Sequence, residues 1–300
     1  MMSTTQNLRR ICDATGTQLV FATPPQRIVC VTSNGVDMLA SLDLLPAAML
    51  THDGATLAAH PRLFGPRARQ IARIGGSWFT PDVADIIAAQ PDLVIGYAGI
   101  QDELRAALAH VAPVFLVAPH TYTDAMADLR KLGAVLDRSC AAEHAVQEFR
   151  TRLTTCAAIS PRTVTPLVVY GCDTQIGVST NRSLVGSLLA EITPYPWALP
   201  PEADAELGGD MPFSIEQIAA GNPDLLLVVT KKDAAGRYPT RALSRQLADQ
   251  PEWNALPAVQ AGQVHEVDAD VWHSTGGICS LGIVLDAAMA LLYPTVQQEK

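Results

Sequence analysis

The chain has 300 residues, 48% apolar and 17% charged, which excludes a disordered or low-complexity protein and leaves room for about two domains. Its formal net charge of −9, from 21 basic and 30 acidic residues, excludes nucleic acid as the main partner, because a polyanion needs a basic face. No apolar run reaches the ~18 residues that a membrane span needs. In chain order, the run Arg27–Ser33 is apolar and β-branched and predicts a buried strand, with a helix from Asn34 to about Leu44. Pro81 to Gln90 predicts a helix, with Thr80 as N-cap and Pro81 in the first position. Pro91-Asp92 ends it, and Leu93–Tyr97 is the next strand. A helix over 102–109 and a strand over 114–117 continue the alternation, which points to βαβ units and a largely parallel sheet.

Two strongly helical stretches follow, 124–136 and 140–159, the second with Ser139 as N-cap and Ser160-Pro161 as its stop. At 1.5 Å per residue the second is a rod of ~30 Å. The pattern then restarts, with strands at 166–170, 225–229 and 264–267 and helices at 183–191, 241–249 and about 277–292. The segment Asp85–Ile95 recurs without a gap as Gln217–Leu227, an offset of 132 residues. Ile86, Ala88, Pro91, Asp92 and Leu93 match Ile218, Ala220, Pro223, Asp224 and Leu225. Ser214 and Gln217 form a capping-box pattern at the second copy. The expected fold class is α/β: two similar lobes with largely parallel central sheets, 1–136 and 162–300, joined by one long bridging helix over 137–161.

Four blocks, in order and spacing, resemble a known family. They are Asp13–Gly16 with Pro25–Val29, Gln90–Ile95, Phe213–Ile218 with Asn222–Leu226, and Val271–Gly277 before a last helix. The chain is similar over ~12–293 to the substrate-binding proteins of ABC importers for ferric siderophores, haem and cobalamin. The resemblance implies a binding protein and not an enzyme, with two lobes, a ligand in the cleft between them, an ABC importer permease as partner and a monomeric state. It implies no cofactor, the ligand being a ferric siderophore complex, with cobalamin or haem as alternatives. It also implies a periplasmic or cell-envelope location. The polar stretch Met1–Arg10 shows no secretory leader, so a cytoplasmic ligand chaperone is the rival. An enzyme is the rival from another class, but the chain has no Gly-x-Ser-x-Gly, Walker, Gly-x-Gly-x-x-Gly or His-Glu-x-x-His motif.

Bulky chelates need aromatic walls and a few cationic or hydroxyl groups in loops after strands. The 17 Arg against 4 Lys suit the recognition of chelate oxygens. The candidate ligand contacts are Trp78 and Tyr97, which match aromatic positions of cobalamin-binding relatives, and Ser33 and Asn34 at a strand-to-helix corner. Arg182, Trp197, Arg237, Tyr238, Trp272 and His273 complete the set in the second half, with Tyr195 beside Trp197. No direct metal ligand is expected except His273, which can complete the coordination of an unsaturated iron chelate. The seven histidines are otherwise scattered, unlike a free-metal site. The resemblance also implies an acidic permease-docking residue on each lobe. Glu216 matches in the second; the aligned first-lobe position is Ala84, so Asp85 or Asp82 takes the role. The six cysteines, at 12, 30, 140, 156, 172 and 279, form no Cys-x-x-Cys pair and are expected mainly as buried small side chains.

Overall fold

The first apolar run becomes the central strand of a five-stranded sheet, in a computed structural model that describes residues 8–51, 55–198, 210–232 and 242–294. The chain divides into two units. The first draws on residues up to Pro119, Thr123–Phe149 and Gly276–Ser280, and the second on His120–Tyr122, Arg150–Thr275 and residues from Leu281 onward. The 21-residue helix Ser139–Ile159 supplies the first unit up to Phe149 and the second from Arg150.

In the first unit a hairpin of β1 (Arg9–Cys12) and β2 (Gln18–Phe21) precedes β3 (Ile28–Cys30), β4 (Ala48–Leu50), β5 (Ala72–Ile74), β6 (Leu93–Tyr97) and β7 (Val114–Val117). The sheet order is β5-β4-β3-β6-β7 and every pairing is parallel. Residues of β3, β4, β6 and β7 are all buried, which is why these strands read as continuous apolar runs. The hairpin turn is held by Asp13. Its buried carboxylate accepts from the Thr15 amide at 2.9 Å, the Thr15 hydroxyl at 2.8 Å and the Thr17 amide at 3.1 Å, and pairs with Arg105. The Asp13–Gly16 block is therefore a folding motif.

In the second unit, β8 (Pro166–Cys172), β9 (Gln175–Ser179), β10 (Asp210–Phe213), β11 (Leu225–Thr230) and β12 (Val264–Asp268) take the order β10-β9-β8-β11-β12. This repeats the first unit's plan: the first strand central, the next two on one side, the last two on the other. One feature differs from the expected largely parallel sheet. The β8–β9 and β9–β10 pairings are antiparallel, because the Asp173-Thr174 turn folds the chain straight back.

The sequence repeat has a common structural job. Asp92 accepts from the amides of Gln26 and Arg27 at 2.7 and 2.8 Å, just before β3. Asp224 accepts from the Thr165 amide at 2.8 Å, just before β8. Each Pro-Asp corner thus pins its strand beside the central one. The capping box forms as expected, with Ser214 N–H to Gln217 Oε1 at 2.8 Å and Gln217 N–H to Ser214 Oγ at 3.3 Å. The first copy departs: its helix is Val83–Ala88, and the N-cap is Asp82, not Thr80. Asp82 accepts from the Ala84 and Asp85 amides at 2.8 and 3.2 Å, while Thr80 closes a turn with Ser77, the two hydroxyls 3.0 Å apart. Other helices are shorter than their periodicity suggests, Leu104–Ala107 and Leu243–Gln246 among them.

The start of the last helix, Ile278–Leu292, is tied into the first unit. Asn34 Nδ2 donates to Gly276 O at 2.8 Å. The wholly buried Asp37 carboxylate accepts from the Cys279 amide at 3.0 Å, the Ser280 amide at 2.8 Å and the Ser280 hydroxyl at 2.5 Å. A Cβ on Gly276 would collide with the Ser33 carbonyl, and one on Gly277 would press on Asp37. The Gly276-Gly277 pair is thus explained by close backbone approach.

Candidate functional site

In an open α/β sheet the crevice for a ligand lies beyond the carboxyl ends of the strands, where the strand order reverses. In the first unit that point falls between β3 and β6. Tyr97 ends β6 there, and Ser33 begins the helix that follows β3, half-buried. Trp78 lies on the loop after β5, its ring 5.7 Å from that of Tyr97 and 5.1 Å from that of Phe79, which it meets edge-on at 69°. Trp78 is half-buried and packs on the unit's core, Tyr97 is buried, and Phe79 is exposed. The structure thus brings together Trp78 and Tyr97, two of the candidates from the sequence, and adds Phe79, which the sequence does not single out.

Gln101, also overlooked, organises this corner. Its side chain is buried; it accepts from the Tyr97 amide at 2.8 Å and donates to the carbonyls of Val31 at 3.0 Å and Trp78 at 2.6 Å. One amide group therefore fixes the ends of β3 and β6 and the Trp78 loop. Gly96 leaves it room, since a Cβ there would crowd Gln101 Oε1. Asn34 has a structural role in place of the expected ligand contact. Its Oδ1 accepts from the Thr32 hydroxyl at 2.8 Å while its Nδ2 holds Gly276, so both ends are occupied inside the unit.

In the second unit the order reverses between β8 and β11. Tyr170, near the end of β8, places its ring 5.3 Å from that of His273, tilted by 39°. Tyr170 covers Gly177 on the neighbouring strand, where a Cβ would strike the ring. Trp272 belongs to the short helix Ala269–Trp272 after β12 and is buried, whereas His273 is exposed. Lys231 and Lys232, after β11, lie 4.0 and 2.9 Å from Asp270 and Asp268. The Thr174 hydroxyl and nearby amides draw the Cys172 thiol below its ordinary pKa at the same sheet edge.

Arg182 and Trp197 do not belong to that edge. Because β9 runs against β8, with Val169 opposite Val178, the loop after β9 emerges at the amino end of the sheet. Asn181 N–H donates to Trp197 O at 2.7 Å, and Trp197 Nε1 donates to Pro166 O at 2.7 Å, at the first residue of β8. Trp197 is buried against Gly221 and is a core side chain. Tyr195 is likewise buried, its hydroxyl on Ser179 O at 2.7 Å. Arg237 and Tyr238 lie outside the described residues.

Glu216 stands exposed in the first turn of the helix Ile215–Gly221, where the Ser214 hydroxyl and the helix amide lower its pKa and keep it ionised. Asp85 is exposed in the first turn of Val83–Ala88, and its carboxylate accepts from the Gly75 amide at 2.8 Å. Each is therefore a carboxylate near the carboxyl edge of its own sheet. No group of three or more His, Cys, Asp or Glu among the described residues is arranged to hold a metal ion. No helix among them is long and apolar enough to cross a membrane.

The periodic plan of these two sheets coincides with a family match over residues 28–271, described as periplasmic binding protein. The chain belongs to this family. Its members are extracytoplasmic binding proteins, not enzymes. The chain is 26% identical over 266 residues to the Fe(3+) dicitrate-binding periplasmic protein FecB of Escherichia coli (strain K12), covering 85% of this chain and 80% of that one. It is 26% identical over 280 residues to the ferric-anguibactin-binding protein FatB of Vibrio anguillarum, covering 90% and 83%. Among solved structures, the petrobactin-binding protein YclQ of Bacillus subtilis matches with a TM-score of 0.76 at 19% identity, covering 96% of this chain and 99% of that one. Staphylococcus aureus SirA complexed with staphyloferrin B matches with a TM-score of 0.73 at 18% identity, covering 94% and 98%.

Proposed function

We propose that this protein binds a ferric siderophore outside the cytoplasmic membrane and, as a monomer, delivers it to the permease of an ABC importer. The observation that carries this reading is the aromatic cluster Trp78, Phe79 and Tyr97 at the carboxyl edge of the first sheet, in a chain of the periplasmic binding protein family. Both curated relatives are named for ferric chelates. Tyr170 and His273 supply a second aromatic pair at the corresponding edge of the second sheet. Ferric chelates are broad and partly planar, and aromatic side chains grip such surfaces with little loss of side-chain entropy.

Tryptophan-fluorescence titration of the purified protein tests this, with ferric hydroxamate, catecholate and carboxylate siderophores, haemin, cyanocobalamin and iron-free chelators. Saturable quenching by a ferric chelate at micromolar or lower concentration is the expected result. Quenching by haemin or cyanocobalamin alone, or by nothing in the panel, overturns the reading. Trp78→Ala should weaken chelate binding by on the order of 1–3 kcal/mol, as loss of a packed aromatic contact does. Trp197→Ala should leave the chelate affinity of the folded fraction unchanged and lower stability instead, because Trp197 lies at the amino end of its sheet.

We assign permease docking to Glu216 in the second unit and Asp85 in the first. Glu216→Arg should leave chelate affinity within experimental error and reduce uptake by roughly tenfold or more, as reversal of an interface charge does. Undiminished uptake by Glu216→Arg would remove that residue from the docking surface.

A further inference from the structure

The loop that carries Trp78 leaves β5 at the peptide group joining Ile74 to Gly75, and both polar ends of this group are held. The Ile74 carbonyl accepts from the Thr51 amide at 3.0 Å and the Thr51 hydroxyl at 2.9 Å, just after β4. The Gly75 amide donates to Asp85 Oδ2 at 2.8 Å, in the first turn of the helix Val83–Ala88. A Cβ on Gly75 would stand 3.1 Å from that oxygen, so glycine lets the carboxylate close in. The far side of the loop returns to the same place, because Asp82 N–H donates to Gly75 O at 3.0 Å. Between these points the chain is a tight turn. Ser77 N–H donates to Thr80 O at 3.1 Å, Gly76 bridges to Pro81, and Trp78 and Phe79 lie between Ser77 and Thr80. A turn closed this tightly moves as a unit, so its direction is set at its root. The buried Gln101 holds it at the Trp78 carbonyl, and the exposed Asp85 holds it at Gly75.

We infer that Asp85 is a positioning residue for chelate binding, and that its carboxylate has two separable jobs. As a hydrogen-bond acceptor it fixes the Gly75 amide, and with it the direction from which Trp78 meets the chelate. As a charge it serves permease docking. A side-chain amide does the first job and not the second, because its oxygen accepts from an N–H while it carries no charge to pair with a cation. The Gly75–Asp85 bond is exposed, so its loss loosens the loop at modest cost and leaves the unit folded. This inference rests on the reading of the protein as a ferric-chelate binder with Asp85 in its docking surface. It adds that chelate affinity depends on this carboxylate acting through the Trp78 loop.

The test uses calorimetry on the full chain. Ferric dicitrate and ferric 2,3-dihydroxybenzoate are titrated first, and the tightest-binding ferric chelate of the panel above is the probe. Asp85→Ala should weaken probe binding by about fivefold, and Asp85→Asn should bind within about twofold of the wild type. Amide hydrogen exchange over residues 75–80 should quicken in Asp85→Ala and not in Asp85→Asn. Glu216→Arg removes a carboxylate from the other unit and should leave both readouts as in the wild type. Uptake by cells should fall about fivefold or more in both Asp85 variants. Wild-type affinity in Asp85→Ala overturns the inference while the broader function stands. So does Asp85→Asn binding as weakly as Asp85→Ala, which would assign the effect to the charge and not to the acceptor. Undiminished uptake by Asp85→Asn removes the second job and overturns the inference as well. Failure of every ferric chelate in the panel to bind the wild type defeats the broader function itself, and the inference with it.

Discussion

Replacing Asp37 with alanine should remove about 3–4 kcal/mol of stability, the expected cost of leaving buried donors without an acceptor. Three donors lose their partner: the amides of Cys279 and Ser280 and the Ser280 hydroxyl. Water does not replace it, because Asp37 and Ser280 are wholly buried. Asp37→Asn should cost less, about 1–2 kcal/mol, since its amide oxygen still accepts while its NH2 group faces a donor. Urea unfolding of the three proteins measures this, and an Asp37→Ala midpoint equal to the wild type would refute the role.

Burial lifts the Asp37 carboxyl above the usual carboxylate range, and the hydrogen bonds from Ser280, Cys279 and Gly277 only partly counter it. The folded state therefore holds this proton to higher pH than the unfolded state, whose aspartates titrate near ~3.9. The sign follows from linkage: stability associated with Asp37 is full below the unfolded pKa and declines as pH rises through the folded one. The stability difference between wild type and Asp37→Asn should accordingly shift toward the variant as pH is raised from about 4. A difference that stays constant from acid to neutral pH would contradict this.

Gln101→Ala should have the second large effect, about 2–4 kcal/mol, because it strips partners from the Tyr97 amide and the Val31 and Trp78 carbonyls at once. Unlike Asp37→Ala, it should also weaken chelate binding in the protein that remains folded, since it frees the Trp78 loop from the end of β6. Gln101→Glu separates the two parts. An ionised carboxylate still accepts from Tyr97 N–H but repels the two carbonyls, which favours the protonated form and raises its pKa. Binding by Gln101→Glu should thus fall as pH rises while wild-type binding does not. Parallel pH profiles would show that Gln101 does not position the site.

The strands 93–97 and 114–117 were legible at their observed ends because buried parallel strands are unbroken apolar runs. The Pro-Asp repeat was legible because both copies perform one local task, an aspartate capping the amides that lead into the central strand. Trp78 and Tyr97 were singled out one by one, from a glycine loop before the repeat helix and from the end of the strand 93–97; the strand Ala72–Ile74 and the contact between the two rings were not legible. Gln101 was not, because its three partners lie at 31, 78 and 97, and no local pattern marks a glutamine that closes such a triangle. Arg182 and Trp197 were misplaced for a single reason: a loop after a strand reaches the ligand edge only if that strand is parallel to its neighbours, and β9 is not.

The sequence by itself determined the alternation of strands and helices, the duplicated plan and the aromatic character of the first sheet's edge, since apolar periodicity, Pro-Asp corners and residue type are local properties. Only the tertiary structure decided which loops share an edge, which aromatic rings are core and which exposed, and that a buried aspartate at 37 anchors a helix beginning at 278. Those facts depend on strand direction and on pairings between residues far apart in the chain, and such pairings leave no mark on the residues beside them.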